Sequence, residues 1–379
     1  PLIEARRNEI LNPPTGETAP VLAIVSAPAN TYTVSNTNNS GGGSLRQAIL
    51  DANSAAGADS IVFNLGVGTP IINLTSALPA ITGPVIISGN TGGATRVELN
   101  GAGAGANANG LTINASNCVI ERLVINRFTG VGIHIDITVS GLVVTSVGSN
   151  TIKGCIIGLD SSGTIASANN VGVEIVGSSN NTIGNTVISD RNTISGNTTN
   201  GILLNRIFIT NPNPDPPTEA AASNNKIINS YIGTDVTGRF DLGNGGFGVN
   251  VVGGNATVIG GATQEERNVI SGNNGGGVRI AKPNTTTTAL AQNNRIIGNY
   301  IGLDASTQFQ LGNGVFGGGG MAPGVLIEDA PNNAVGGATD GEFNFIKYNL
   351  QNAGVVVTGA AATGNSILRN YISNNVGLG

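Results

Sequence analysis

The chain has 379 residues, 58 of them glycine; only 10% are charged and 4% aromatic, tryptophan is absent, and the net charge is −5. A disordered chain would carry more charge and less Val and Ile, and glycine does not fall at every third position as collagen requires. The acidic balance excludes nucleic-acid binding driven by phosphate contacts, and no apolar run reaches the length of a membrane span.

Residues 1–30 hold Pro13-Pro14, Pro20 and Pro28 and read as an extended arm. The sequence opens at Pro1 without a methionine, so it is expected to be a processed product. Residues 31–59 are expected to give a strand and a capping helix. The helix is Ser44-Leu-Arg-Gln-Ala-Ile-Leu-Asp-Ala-Asn53, with Leu45, Ala48, Ile49 and Ala52 on one face, Ser44 as N-cap and Gln47 at the capping-box position. Such a helix would cover the first coil of a stacked sheet, whose open end would otherwise pair with other chains. Residues 60–100 are expected to form one or two irregular coils.

From residue 110 a repeat takes over: a glycine followed by alternating apolar residues, at Gly110, Gly132, Gly172, Gly201, Gly248, Gly277, Gly324 and Gly354. The spacings from Gly172 on are 29, 47, 29, 47 and 30 residues, so two coil types alternate in a double repeat of 76. Long coils carry Asn-x-Ile-x-x-x-x-Ile-Gly, as NTIKGCIIG at 150–158, NKIINSYIG at 225–233 and NRIIGNYIG at 294–302, with a partial copy, NSILRNYIS, at 365–373. Short coils carry NTISGN at 192–197, NVISGN at 268–273 and NFIKYN at 344–349. Strands this short bury a core only when stacked, each pairing in parallel with its copies above and below. The expected fold is all-β: a right-handed parallel β-helix over 60–379, of about nine coils and roughly 45 Å at strand spacing. Val173, Ile175, Val249, Val251, Val278, Ile280, Val325 and Ile327 should point inward.

The sixth motif positions, Cys155, Asn197, Ser230, Asn273, Asn299, Asn349 and Asn370, align as one buried ladder at a bend. Asn299→Leu is expected to cost about 1–3 kcal/mol. Cys155 takes an asparagine's place in this ladder and should be a buried, inert thiol. Two cysteines, Cys118 and Cys155, make no disulfide framework.

The segment Gly43 to Asn53, followed by Ala58-Asp-Ser-Ile-Val-Phe63, resembles the opening of large bacterial surface proteins with right-handed β-helix repeats, of the pectate-lyase-like solenoid superfamily. Asn268-Val-Ile-Ser-Gly-Asn273 and Asn299-Tyr-Ile-Gly-Leu-Asp304 are similar to the repeats of the same group, and the resemblance covers residues 31–379. It implies secretion to the cell surface. It leaves activity open, because that group includes adhesins, spikes, lyases, hydrolases and epimerases.

Candidate chemistry is sparse. His134, the one histidine, shares a strand face with Asp136 in Gly132-Ile-His-Ile-Asp136, either as an acid/base pair or, the favoured reading, as two solvated groups with no third partner in view. Asp160, Asp235 and Asp304 recur after the Ile-Gly motif. Two coils apart they are too distant to share a calcium ion, and they read as turn initiators. Asp190-Arg191, Glu265-Glu266-Arg267 and Asp340-Gly-Glu342 stack with the 76-residue period as a charged edge. Tyr231, Tyr300 and Tyr371 form an outward aromatic column suited to sugar rings or to packing under a loop. No catalytic residue, cofactor or metal site is assigned.

The reading favoured is a non-enzymatic extracellular structural or adhesive protein. The alternatives are a carbohydrate-binding module or a polysaccharide-active enzyme. Self-association is the expected partnership, with glycans as a second ligand class. A head-to-tail filament would follow if Leu2, Ile3, Ile10 and Leu11 of one arm met the final strand, at Tyr371 and Ile372, of the next subunit. Insertions at 138–149, 209–223, 281–292 and 358–364 should emerge along one edge, and deleting 211–218 should spare folding.

Overall fold

The computed structural model describes residues 29–140, 143–145, 147–209, 218–283, 290–314, 321–351 and 353–377. The arm, with Leu2, Ile3, Ile10 and Leu11, lies outside them, as do most of residues 211–218. Among the described residues the chain winds through three parallel sheets of eleven, ten and eight strands. The first sheet runs from Thr31–Val34 to Ser366–Leu368, the second from Ile71–Asn73 to Tyr371–Ser373, and the third from Leu111–Ile113 to Val355–Thr358. From Leu111–Ile113 on, each coil visits the third sheet, then the first, then the second, as Val131–Asp136, Thr151–Lys153 and Ile156–Ile157 do, whereas the strands before Leu111 belong to the first and second sheets alone. This is a right-handed parallel β-helix.

The strands are two to six residues long and rich in Ile and Val, and register holds rung after rung. Val173 pairs with Ile202, Ile202 with Val249, Val249 with Val278, and Val278 with Val325. All eight residues expected to point inward are fully buried in one continuous apolar column. After the strand at Thr31–Val34, the first sheet has ten further rungs from Asp59 on, one more than the repeats suggested. Two of the ten, Asp59–Phe63 and Val85–Ser88, precede the glycine motifs, where one or two irregular coils were expected.

The helix Leu45–Ser54 buries Leu45, Ala48, Ile49 and Ala52, and Ser44 Oγ accepts the Gln47 N–H at 3.2 Å. The capping box does not close: Gln47 Nε2 reaches forward to Asp51 Oδ1 at 2.8 Å, and the Ser44 N–H donates to the carbonyl of Gly41.

The asparagines form three ladders, one at each corner, where one was expected. The first links Asn150, Asn181 and Asn225, then Asn294 and Asn333. The second links Asn268, Asn299, Asn344 and Asn370 at 2.9–3.0 Å. The third is unbroken through Asn169, Asn197, Asn244, Asn273, Asn313, Asn349 and Asn375. In each, amide Nδ2 groups bond to the Oδ1 of the next coil, and most of them also to a backbone carbonyl, which satisfies the backbone where the sheet turns a corner. Asn370 is only partly buried.

Both cysteines end a ladder. The Cys118 N–H donates to Asn150 Oδ1 and the Cys155 N–H to Asn192 Oδ1. Both thiols are buried, and burial pushes each up to about 11, as an inert thiol requires. The repeat glycine also has its reason here. A Cβ on Gly248 would sit 2.8 Å from Asn273 Nδ2 and 2.7 Å from Ile270 Cγ2, so any side chain would displace the third ladder.

Two insertions form antiparallel hairpins, Thr138–Ser140 with Val143–Thr145 and Ile207–Ile209 with Thr218–Ala220. Both leave the third sheet and return to the first, as do the chain segments at 281–292 and 358–364.

Candidate functional site

Two clusters of side chains lie on the outer faces. On the third sheet the central outward position of successive strands is Thr112, His134, Glu174, Leu203, Asn250 and Arg279. Strand pairing therefore sets Glu174 directly beside His134, which supplies the third group that the sequence reading did not find. His134 Nε2 is 3.6 Å from Asp136 Oδ2, and Nδ1 is 3.1 Å from Glu174 Oε2. The Nδ1 contact is off the line a hydrogen bond needs, and the nitrogen has no aligned acceptor among the described residues; the pair is ionic. Burial acts to lower the imidazole, but Asp136 and Glu174 outweigh it and hold His134 up at about 9. Asn205 Nδ2 donates to Glu174 Oε1 at 2.8 Å and fixes that carboxylate in turn. A histidine charged to such a pH is an ion-paired group, not a base poised near neutrality.

On the second sheet the outward column is Thr193, Tyr231, Val269, Tyr300, Phe345 and Tyr371. The three tyrosines stand in one column, as read from the sequence. Packing under a neighbouring segment was one of the two readings, and the residues that cover each ring are new. The Arg191 guanidinium lies 4.4 Å over the Tyr231 ring, and Arg267 lies 4.6 Å over Tyr300. At the same place in the following repeat Phe343 packs edge-on to Tyr371 at 5.3 Å. Each arginine is pinned by two bonds. Arg191 donates to Asn229 Oδ1 (2.8 Å) and the Tyr231 hydroxyl (2.6 Å). Arg267 donates to the Gly298 carbonyl (2.9 Å) and the Tyr300 hydroxyl (2.8 Å). Together with Gln264, Val269 and Ala305 these four side chains line a cleft of about 180 Å³. Tyr371 is 56% exposed and stacks on Phe345, whereas Ile372 faces the core.

The charged edge is ion-paired as well as solvated, with Asp340 93% exposed. Four of its carboxylates turn to cations of neighbouring coils: Asp190 to Arg122, Glu266 to Lys226 (2.6 Å), Glu342 to Arg295 (2.6 Å) and Asp340 to Arg369 (2.8 Å). Arg191 and Arg267 therefore have no carboxylate within 4 Å among the described residues, in a chain whose other cations are largely paired.

Asp160, Asp235 and Asp304 each close their own loop. Asp160 Oδ1 accepts the Thr164 and Ile165 N–H groups, Asp235 Oδ1 those of Arg239 and Phe240, and Asp304 Oδ1 that of Phe309. Burial raises Asp160 and Asp304, but bonds from Ser162 and Ser306 and from the loop amides outweigh it and lower both. Among the described residues no group of three or more His, Cys, Asp or Glu is placed to hold a metal ion.

The fold and its outer faces define a parallel β-helix with a repeated arginine–tyrosine cleft. Among solved structures the chain is similar to the Azotobacter vinelandii mannuronan C-5 epimerase AlgE6 A-module, at 12% identity over 91% of this chain and 99% of that one, with a TM-score of 0.43. It is also similar to pectate lyase Pel9A (13% identity, 89% and 78% covered, TM-score 0.41) and to PfbA, a surface adhesin of Streptococcus pneumoniae (12%, 87% and 88%, TM-score 0.38). These likenesses concern the path of the chain and carry neither activity nor substrate across. No protein-family model and no curated protein matches the sequence.

Proposed function

We propose that this chain is a non-enzymatic, extracellular adhesive β-helix that holds an acidic glycan at the Arg191–Tyr231 and Arg267–Tyr300 pairs. The observation that carries the reading is two guanidinium groups without carboxylate partners, held rigid over aromatic rings in one cleft of an acidic chain. Each offers a free N–H edge to a carboxylate or sulfate, and pinning reduces the entropy lost on binding. The pairs recur on alternate coils, roughly 9–10 Å apart at strand spacing, and so suit a ligand that is itself periodic.

Titration calorimetry with acidic and neutral oligosaccharides tests this. Arg191→Ala and Arg267→Ala should each weaken binding of the acidic series about tenfold, the loss expected of one charge-assisted bond. Equal binding of neutral sugars, or unchanged affinity in the double variant, would show the reading to be wrong.

A second reading, a polysaccharide-active enzyme, is favoured by the convergence of His134, Asp136 and Glu174 with two buried atoms, His134 Nδ1 and Asp136 Oδ1, lacking aligned partners. Depolymerisation or epimerisation of an acidic polysaccharide that vanishes in His134→Ala would establish it over the first.

A further inference from the structure

The way Arg191 and Arg267 are anchored has a third instance on the same corner. Their Nε atoms donate to the fifth residue of a long-coil motif, to Asn229 Oδ1 and to the Gly298 carbonyl. Arg96 Nε donates to the carbonyl of Gly154, the fifth residue of the preceding motif, at 3.3 Å. One short coil separates successive fifth residues: the Gly154 N–H donates to the Asp190 carbonyl, and the Asn229 N–H to that of Glu266. Three guanidinium groups therefore follow one corner at equal steps of two coils, roughly 9–10 Å each and about 19 Å in all at strand spacing.

Arg96 is half-buried, and among the described residues only its Nε donates to the protein, with no carboxylate within 4 Å. The acids on its stretch of the corner are already held, Asp190 by Arg122 and Glu121 by Lys153 (2.8 Å), so its charge is not cancelled locally. Burial holds the Arg96 guanidinium below the ordinary arginine value, the mark of a cation kept partly out of water without a counter-ion. An anionic ligand would supply that counter-ion. Unlike Arg191 and Arg267, Arg96 has no aromatic ring beneath it among the described residues, so it would hold charge alone. Each step of two coils is close to the length of a disaccharide in an extended chain. Resting on the glycan reading above, we propose that the acidic glycan lies lengthwise along this corner over about five sugar units, with Arg96 binding a third anionic group two coils beyond Arg191.

Calorimetric titration with oligosaccharides of alternating glucuronate and N-acetylglucosamine tests the extension, because a tetrasaccharide carries two carboxylates and a hexasaccharide three. The tetrasaccharide should take the Arg191–Arg267 pair, which its rings favour. The hexasaccharide should bind the parent about tenfold more tightly, the gain expected of one more charge-assisted bond. Arg96→Gln should remove that gain and leave tetrasaccharide binding unchanged, which also reports that the variant is folded. Arg96→Lys keeps the charge and should retain part of the gain. Equal affinity of the two lengths for the parent, a gain that survives in Arg96→Gln, or equal weakening of both lengths in that variant would overturn the third subsite and leave the pair standing. Failure of both lengths to bind the parent would strike the glycan reading itself, and the extension with it.

Discussion

Replacing Asn299 with leucine should destabilise the β-helix by about 3–4 kcal/mol, above the 1–3 kcal/mol expected for a single lost hydrogen bond. The structure gives the reason. Asn299 Nδ2 donates to the carbonyls of Ile259 (2.9 Å) and Ile297 (3.0 Å) and to Asn344 Oδ1 (3.0 Å), while its Oδ1 accepts from Asn268 Nδ2. Leucine removes them all and leaves two carbonyls without that partner at a corner closed to water. Its apolar burial recovers only part of the loss. Asn370, partly open to solvent, should lose about 1 kcal/mol on the same change, because water can replace the amide. Urea midpoints of the two variants against the parent measure this. Equal shifts would mean that the corner amides are interchangeable with solvent, and that the ladders are ornament to the packing.

Raising the pH should weaken the third sheet at His134. Its folded value of about 9 lies above the unfolded value of about 6.5, so the stabilisation is complete below pH 6.5 and is lost as pH rises through 9. The full loss is about 3 kcal/mol, since each unit is worth about 1.4. Above that pH two carboxylates, Asp136 and Glu174, face a neutral ring. His134→Gln should lack this alkaline loss, so urea curves of parent and variant should converge between pH 6.5 and 10. Parallel curves across that range would show that the imidazole is not held charged by its neighbours.

Much of the solenoid was legible because the period-two pattern and the glycine motif both report on a stacked sheet. The ladders were not separable. Asn150 to Cys155 spans the first and second corners, whereas Asn192 to Asn197 spans the second and third. Both read Asn-x-Ile because every corner needs an amide before a short strand, so local chemistry cannot say which corner it serves. Glu174 was within reach, since it follows Gly172 by the two residues that separate His134 from Gly132, and stacking the motifs places it beside the histidine. The arginine caps were not. The 76-residue spacing of Arg191 and Arg267 is plain, but which ring each covers depends on how the corner turns at Asn229 and Gly298, the fifth position of the long-coil motif, where one arginine takes a side-chain oxygen and the other a backbone carbonyl.

The first ladder is interrupted at Thr257, whose buried hydroxyl has no partner among the described residues, and the second at Ser230, whose hydroxyl bonds back to the Ile228 carbonyl two residues earlier. These interruptions fall on neighbouring coils, while the third ladder passes through both unbroken. In a stack whose stability is a sum of nearest-neighbour couplings, the weakest coupling sets where cooperativity divides. The chain should therefore behave as two blocks joined by a hinge line along the third corner. Amide exchange would register this as faster exchange in residues 225–258 than in the coils on either side; uniform protection through that stretch would mean the stack opens as one.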